Sequence, residues 1–199
     1  MPSGLRERKK AETRQAISAA ALDLALTHGP GGVTVDDIAA EADVSPRTVF
    51  NYFATKEEAI LGVDPERRAD ILARLAARPA DEPPLMSLRY AMSYDDDTDR
   101  AVSWRTRARL ARDHPQLQSA YVASFTRLED DLTEVLAGRL GLDSRTDPYP
   151  RLVVAVALAA LRVAVQNAID IDQVSTLTDV LDRAFAAVAV GLPAPRNRP

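Results

Sequence analysis

Apolar positions along this 199-residue chain recur every three or four residues almost from end to end, the spacing that lays them on one face of a helix. From about Glu12 to His28 the inward set is Ile17, Ala21 and Leu24, and Gly29 supplies the stop. Gly29 to Gly32 is a loop, and Val33 precedes a threonine, Thr34, placed to cap the N–H groups of Asp36 or Asp37. Val35, Ile38, Ala39 and Ala42 then give a narrow apolar face, with two aspartates at the positive helix end. Asp43-Val44-Ser45 breaks the periodicity in a short turn, and Ser45-Pro46 restarts a helix with a hydroxyl cap and a proline at the first helical position. On this next helix Val49 and Phe53 face inward, and Arg47, Thr48, Asn51 and Tyr52 face solvent. Thr55, with Glu58 three residues on, opens a further helix through Ala59, Ile60 and Leu61 to a break at Gly62-Val63-Asp64-Pro65. The pattern Ile71, Leu72, Leu75 resumes after Pro65, and whether residues 56–78 form one helix or two stays open.

Beyond a proline-rich linker at Pro79 to Pro84, Leu85 to Tyr94 reads as a short helix, interrupted by Asp95-Asp96-Asp97. A segment from Asp99 to Arg112 carries Trp104, Leu110 and several arginines. Pro115 then opens a long helix to Leu140 with an unbroken stripe of Leu117, Tyr121, Phe125, Leu128, Leu132 and Leu136, ended by Gly141. Tyr149 to Ile171 is apolar on nearly all sides, so it needs burial on more than one face. Thr176 to Gly191 follows with Leu177, Val180, Leu181, Phe185 and Val188, and residues 192–199 form a Pro/Arg-rich tail. With Ala and Leu abundant and β-branched runs few, the expected fold class is all-α.

Composition narrows the chemistry. There is no cysteine, which excludes disulfides, thiolate metal sites and a cysteine nucleophile. No G-x-S-x-G, phosphate loop or metal-ligand spacing occurs, so no catalytic residue, metal or cofactor is expected. Of the two histidines, His28 sits in a last helical turn, where it complements the helix dipole. The acidic triplet at 95–97 lacks the glycine and distal glutamate of a calcium loop and reads as solvated. There is no apolar run near the length of a membrane span on this reading, and the polar start MPSGLRERKKAE lacks the apolar core of a secretory signal, so no membrane partner and a cytoplasmic location are expected.

The formal charge of −4 is unevenly spread. Residues 1–56 hold seven Lys/Arg (Arg6, Arg8, Lys9, Lys10, Arg14, Arg47, Lys56) against seven Asp/Glu, so the acidic excess lies in the rest. A neutral domain with its cations on a leading arm and one helix still suits a phosphate backbone. The helix begun at Ser45 has what a major-groove helix needs, with polar side chains for base edges and others for flanking phosphates. Lys56, beside the free N–H groups of a helix start, makes an anion clamp. Residues 1–7 have no apolar face and are expected to be mobile in the free protein, and for the short basic arm of Arg6, Arg8, Lys9 and Lys10 two readings stand: a solvated tail, or a phosphate or minor-groove contact made only on DNA.

The segment from about residue 10 to 62, through TVDDIAAEADVS, TVFNYF and TKEE, resembles the DNA-binding domain of the TetR family of bacterial transcriptional regulators. The resemblance implies a helix-turn-helix domain at 1–55 with its basic arm, an effector-binding and dimerisation domain at 56–191, and a tail at 192–199. It implies a repressor released from a palindromic double-stranded DNA operator by a small apolar or amphipathic effector, acting as a homodimer through its last two long helices. On that footing Arg47 is the main base reader, its guanidinium matching guanine O6 and N7, and Asn51 is the second. Thr34, Thr48, Tyr52 and Lys56 fall to phosphates, with Ser45 near the groove and Arg8 and Lys9 on the arm. Tyr90, Trp104, Tyr121, Phe125 and Asn167 are the candidate pocket lining, each with an ordinary core role as the alternative. The run WRTRARLARDHPQL is similar to C-terminal domains of the mycofactocin-regulator type. That likeness implies an acyl-CoA-like ligand whose phosphates would meet Arg105, Arg107, Arg109 and Arg112 at a pocket mouth. Two positions depart from the family pattern. Asp43 stands where glycine is usual, a tolerable change in a left-handed turn. Phe50 stands where a tyrosine is frequent, which removes one hydroxyl from the phosphate contacts. An effector-independent DNA-binding or protein-interaction helical protein is the alternative reading.

Overall fold

The computed structural model describes residues 3–93, 98–171 and 177–191, and among these every regular element is helical. The order is α1 (Ser3–His28), a short 3-10 turn (Pro30–Gly32), α2 (Val35–Glu41), α3 (Pro46–Tyr52), α4 (Lys56–Leu61), α5 (Pro65–Ala76), α6 (Pro84–Met92), α7 (Thr98–Asp113), α8 (Pro115–Leu140), α9 (Tyr149–Ile171) and α10 (Leu177–Ala189). The acidic triplet at 95–97 and the tail at 192–199 lie outside the described residues.

Residues 56–78 form two helices. Gly62 ends α4 in the left-handed conformation, φ +66°, and its N–H bonds the Ala59 carbonyl while Val63 N–H reaches back to Glu58 at 3.0 Å. This paired closure is a Schellman motif, and Pro65 then starts α5. At the other end of the chain order, α1 is longer than its apolar periodicity suggested. The basic arm, expected to be mobile through residue 7, is helical from Ser3, because Leu, Arg, Glu, Lys and Ala in that stretch are all strong helix formers. An Arg8–Glu12 pair at 3.6 Å spans one turn there, too exposed to add much.

Two compact units divide the chain: residues 1–64 with 106–124, and residues 65–105 with 125–199. The first unit therefore runs past the expected limit at residue 55 to take in α4, the end of α7 and the start of α8. Its core joins Ile17, Ala21 and Ala25 of α1 to Val33, Ile38, Val49, Phe53, Ala59, Ile60, Leu110 and Leu117. Arg107 fixes this arrangement. Its guanidinium donates to the Ile60 carbonyl in the last turn of α4, and to the Ala59 and Ser18 carbonyls at 3.4 Å each, so that one side chain ties the end of α4 to α1. A side chain at position 62 would place its Cβ 2.8 Å from Arg107 Nη1.

In the second unit α6 packs on α5, α9 and α10. Leu88, Ala91 and Met92 of α6, Val154, Ala157, Leu158 and Val165 of α9, and Leu181 and Phe185 of α10 are buried. Arg89 of α6 donates to Asp182 of α10 at 2.7 Å. Arg78 Nε and Ser87 Oγ donate to the same oxygen of Glu82 at 2.8 and 2.7 Å, and these bonds hold that carboxyl down from its ordinary 4.5 to about 2. Helix α9 corrects the expectation about membrane-length runs. Its stretch Tyr149–Asn167 has a mean hydropathy of 1.4 and is by length and composition apolar enough to cross a membrane. Arg151 and Arg162 interrupt it, which is why no continuous run stood out. One flank of the helix is buried, and Leu152 and Val163 on the rest are 61% and 60% exposed.

Two outcomes are expected. Gly62→Ala should cost about 1–2 kcal/mol from the left-handed backbone alone, and more through displacement of Arg107. Combined with Arg107→Ala, the loss in urea midpoint should be less than the sum of the two single losses; strict additivity would mean the two sites do not touch. Because Glu82 has its carboxyl pKa lowered in the folded state, the stability it contributes is complete above 4.5 and lost as pH falls towards about 2. Glu82→Gln should flatten stability against pH across that window, as followed by circular dichroism.

Candidate nucleic-acid interface

Helices α2 and α3 have seven residues each, too few to be stable alone, so their ends carry the structure. Thr34 and Asp37 form a reciprocal capping box: Asp37 N–H donates to Thr34 Oγ1 at 3.1 Å, and Thr34 N–H donates to Asp37 Oδ2 at 2.9 Å. The Thr34 hydroxyl gives its one hydrogen to the same carboxylate at 2.6 Å, and these bonds hold the Asp37 pKa below its ordinary value. As it stands, Thr34 offers a phosphate lone pairs and no donor.

The turn closes as a second Schellman motif. Val44 N–H bonds the Ala39 carbonyl at 2.9 Å and Asp43 N–H the Ala40 carbonyl at 3.3 Å, with Asp43 at φ +52° in the place glycine would take. Ser45 then caps α3 by accepting from Thr48 N–H at 3.1 Å, and the two hydroxyls lie 2.8 Å apart. Pro46 occupies the first turn, where its missing N–H costs nothing.

These anchors orient α3. Val49 and Phe53 are 1% and 3% exposed, against the first unit's core. Arg47, Phe50 and Asn51 are exposed and fall on one outward stripe at helical spacing. Thr48 is half-buried, and so is Tyr52, which the sequence placed towards solvent. Tyr52 packs against the core, and a buried arginine holds it there. Arg14, 8% exposed, donates to the Tyr52 carbonyl at 2.8 Å and lies 5.5 and 5.0 Å from the Tyr52 and Phe53 ring centres, with Asp64 at 3.8 Å. From the sequence alone, Arg14 entered only the charge count of residues 1–56. Its spacing to Ile17, Ser18 and Ala21, all buried, was the available signal.

Lys56 follows the cap of α4, where Glu58 N–H donates to Thr55 Oγ1 at 3.1 Å. Its ammonium is turned inward, donating to the Val33 carbonyl at 2.7 Å and the Pro30 carbonyl at 3.2 Å. It thereby ties down the loop before α2. Arg8 and Lys9 are exposed on the first turns of α1.

The five candidate pocket residues are not gathered in the same way. Tyr90 is 53% exposed with the Arg78 guanidinium 3.9 Å from its ring centre, and Asn167 is exposed on α9. Tyr121 belongs to the first unit, whereas Trp104 and Phe125 belong to the second and are half-buried. The Trp104 indole N–H is buried without a hydrogen-bond partner. An open depression of about 420 Å³ lies elsewhere, lined by Glu134, Ala137, Gly138, Leu142, Asp143, Ser144 and Arg145. Of the arginines expected at a pocket mouth, Arg107 is engaged with helix-end carbonyls and Arg112 with Asp113 at 2.9 Å. Among the described residues, no group of three or more His, Cys, Asp or Glu is placed to hold a metal ion.

Comparison with known proteins bears on both parts of the chain. Residues 17–61 match the family model for bacterial regulatory proteins of the tetR family, and residues 82–193 match that for the MftR C-terminal domain. The chain is 35% identical over 175 residues to the HTH-type transcriptional regulator TcmR of Streptomyces glaucescens, covering 80% of this chain and 74% of that protein. It is 28% identical over 188 residues to a protein named as the mycofactocin biosynthesis transcriptional regulator MftR of Mycobacterium tuberculosis, covering 93% of each. Among solved structures, a TetR-family regulator from Mesorhizobium loti superposes with a TM-score of 0.54 at 19% identity, covering 90% of this chain and 95% of that one. SmeT, the repressor of the Stenotrophomonas maltophilia multidrug efflux pump SmeDEF, gives 0.53 at 20% identity over 92% and 97%. At such identities the two structures speak for the fold.

Proposed function

Because the chain belongs to the TetR family of bacterial transcriptional regulators, we propose that it is a homodimeric repressor whose paired α3 helices read a palindromic operator and release it when a small molecule binds. The observation that carries this reading is the outward stripe of α3, where Arg47 and Asn51 stand exposed on a helix whose opposite side is locked into the core. Arg47 reads guanine through two parallel hydrogen bonds, and Asn51 contacts an adjacent base. Ser45, Thr48 and Tyr52 lie beside the phosphates, and Arg8 and Lys9 add contacts from α1. Thr34 and Lys56 take part by exchanging internal acceptors, the Asp37 carboxylate and the Val33 and Pro30 carbonyls, for phosphate oxygens.

Dimerisation through α9 and α10 accounts for the exposed apolar side chains Leu152, Val163 and Val190, which a lone chain leaves in water. Two reading heads then engage successive major-groove faces about 34–36 Å apart. The effector is a small apolar or amphipathic molecule held in the second unit, with Tyr90, Trp104, Phe125 and Asn167 as candidate contacts. The unpartnered indole N–H of Trp104 supports a ligand that brings an acceptor oxygen. An acyl-CoA-like ligand rests on the likeness of residues 82–193 to the MftR C-terminal domain, and Arg107 is not part of its contacts. The protein acts where the chromosome is, in the cytoplasm.

Two experiments test this. With an operator selected from a random duplex pool, Arg47→Ala should lose about 1–3 kcal/mol on the operator, little on random DNA, and relax the preference at one base position. Lys56→Ala should weaken both alike and reduce the salt slope by about one. Equal losses on operator and random DNA for Arg47→Ala would refute the division of roles. Placing Asp at both Leu152 and Val163 should give a monomer by sedimentation and shrink the footprint to one half-site; an unchanged dimer would place the interface elsewhere.

A further inference from the structure

Helix α3 carries one large side chain for which the fold itself has no use. Phe50 is 57% exposed, although the residue before it, Val49, is 1% exposed and Phe53 is 3% exposed. It falls three residues after Arg47 and one before Asn51, so a phenyl ring occupies the middle of the outward polar stripe. Single exposed apolar residues are common on protein surfaces. This one is distinguished by its place, at the centre of the face that enters the major groove on the reading above. A phenyl ring has neither donor nor acceptor, so it makes no hydrogen bond to a phosphate or a base edge. The major groove offers it one apolar partner, the C5 methyl group of thymine. Against cytosine the same ring would cover an amino donor and leave it unsatisfied.

We infer that Phe50 is a specificity-determining residue that selects thymine by packing its ring against the 5-methyl group, next to the base read by Arg47. The inference rests on α3 being the groove helix and adds the base that Phe50 selects. It also separates Phe50 from phosphate binding, since the contact carries no charge and its share of the affinity does not vary with salt.

The test uses the full chain and a duplex selected from a random pool, with each thymine replaced singly by deoxyuridine, which lacks only the methyl group. At one thymine of each half-site the replacement should weaken binding about fourfold, the factor expected for burying one methyl-sized group. Phe50→Ala should bind the thymine and deoxyuridine duplexes equally at that position, while Phe50→Tyr, which keeps the ring, should preserve the ratio. The inference is overturned if the wild-type protein tolerates every single replacement, or if Phe50→Ala retains the fourfold difference. Because Phe50 is more than half exposed, Phe50→Ala should melt close to the wild type, so a lost ratio reports on recognition. Failure to enrich any duplex from the pool would remove the groove-helix reading itself and this inference with it, an outcome distinct from binding without methyl dependence.

Discussion

Three consecutive helices of six or seven residues cannot hold themselves together. Each makes at most a few internal hydrogen bonds, so nearly all its backbone groups count as helix ends needing partners from elsewhere. The first unit meets that need at both ends of α2, α3 and α4. Thr34, Ser45 and Thr55 accept from the leading N–H groups. Asp43 and Gly62 turn the chain through the left-handed conformation that ends α2 and α4. Two guanidiniums take carbonyls near helix ends, Arg14 at Tyr52 and Arg107 at Ile60. The position of α3 is thus fixed by polar bonds at its ends as much as by Val49 and Phe53 beneath it.

That arrangement separates residues that support α3 from residues that face outward. Ser45 and Thr48 spend their hydroxyls on each other and on the cap, and Lys56 and Thr34 begin with internal partners. A phosphate contact donated by the Thr34 hydroxyl replaces its bond to Asp37, and Lys56 has two of its three N–H donors already engaged, so the net gain is smaller than a free hydroxyl or cation would give. The first 56 residues are neutral overall, so on the proposed reading non-specific attraction to a polyanion is modest and discrimination is left to the stripe of Arg47, Phe50 and Asn51.

Local grammar made much of this legible from the sequence. Caps, prolines and helix-ending glycines act over three or four residues, and so Thr34, Ser45-Pro46, Thr55 and Gly62 could be placed without coordinates. What was missed acts over distance. Arg14 meets Tyr52 across 38 residues and Arg107 meets Ile60 across 47, and nothing in a single sequence pairs them. Only the burial rhythm of Arg14 with Ile17 and Ala21 hinted at an inward arginine. Residues 1–7 were expected to be mobile for want of an apolar face, yet strong helix formers extend α1 back to Ser3. In the second unit periodicity located the helices but not what their side chains enclose. Aromatic residues picked for their chemistry, such as Tyr90 and Tyr121, proved to be exposed or to belong to the other unit.

The outward stripe of α3 makes none of the hydrogen bonds described above and contributes no side chain to the core. Codons 47, 50 and 51 are accordingly open to drift after a gene duplication, since a new side chain at any of them leaves caps and packing intact. On the proposed reading, a daughter copy acquires a different target site by point changes there while inheriting the folding of its parent.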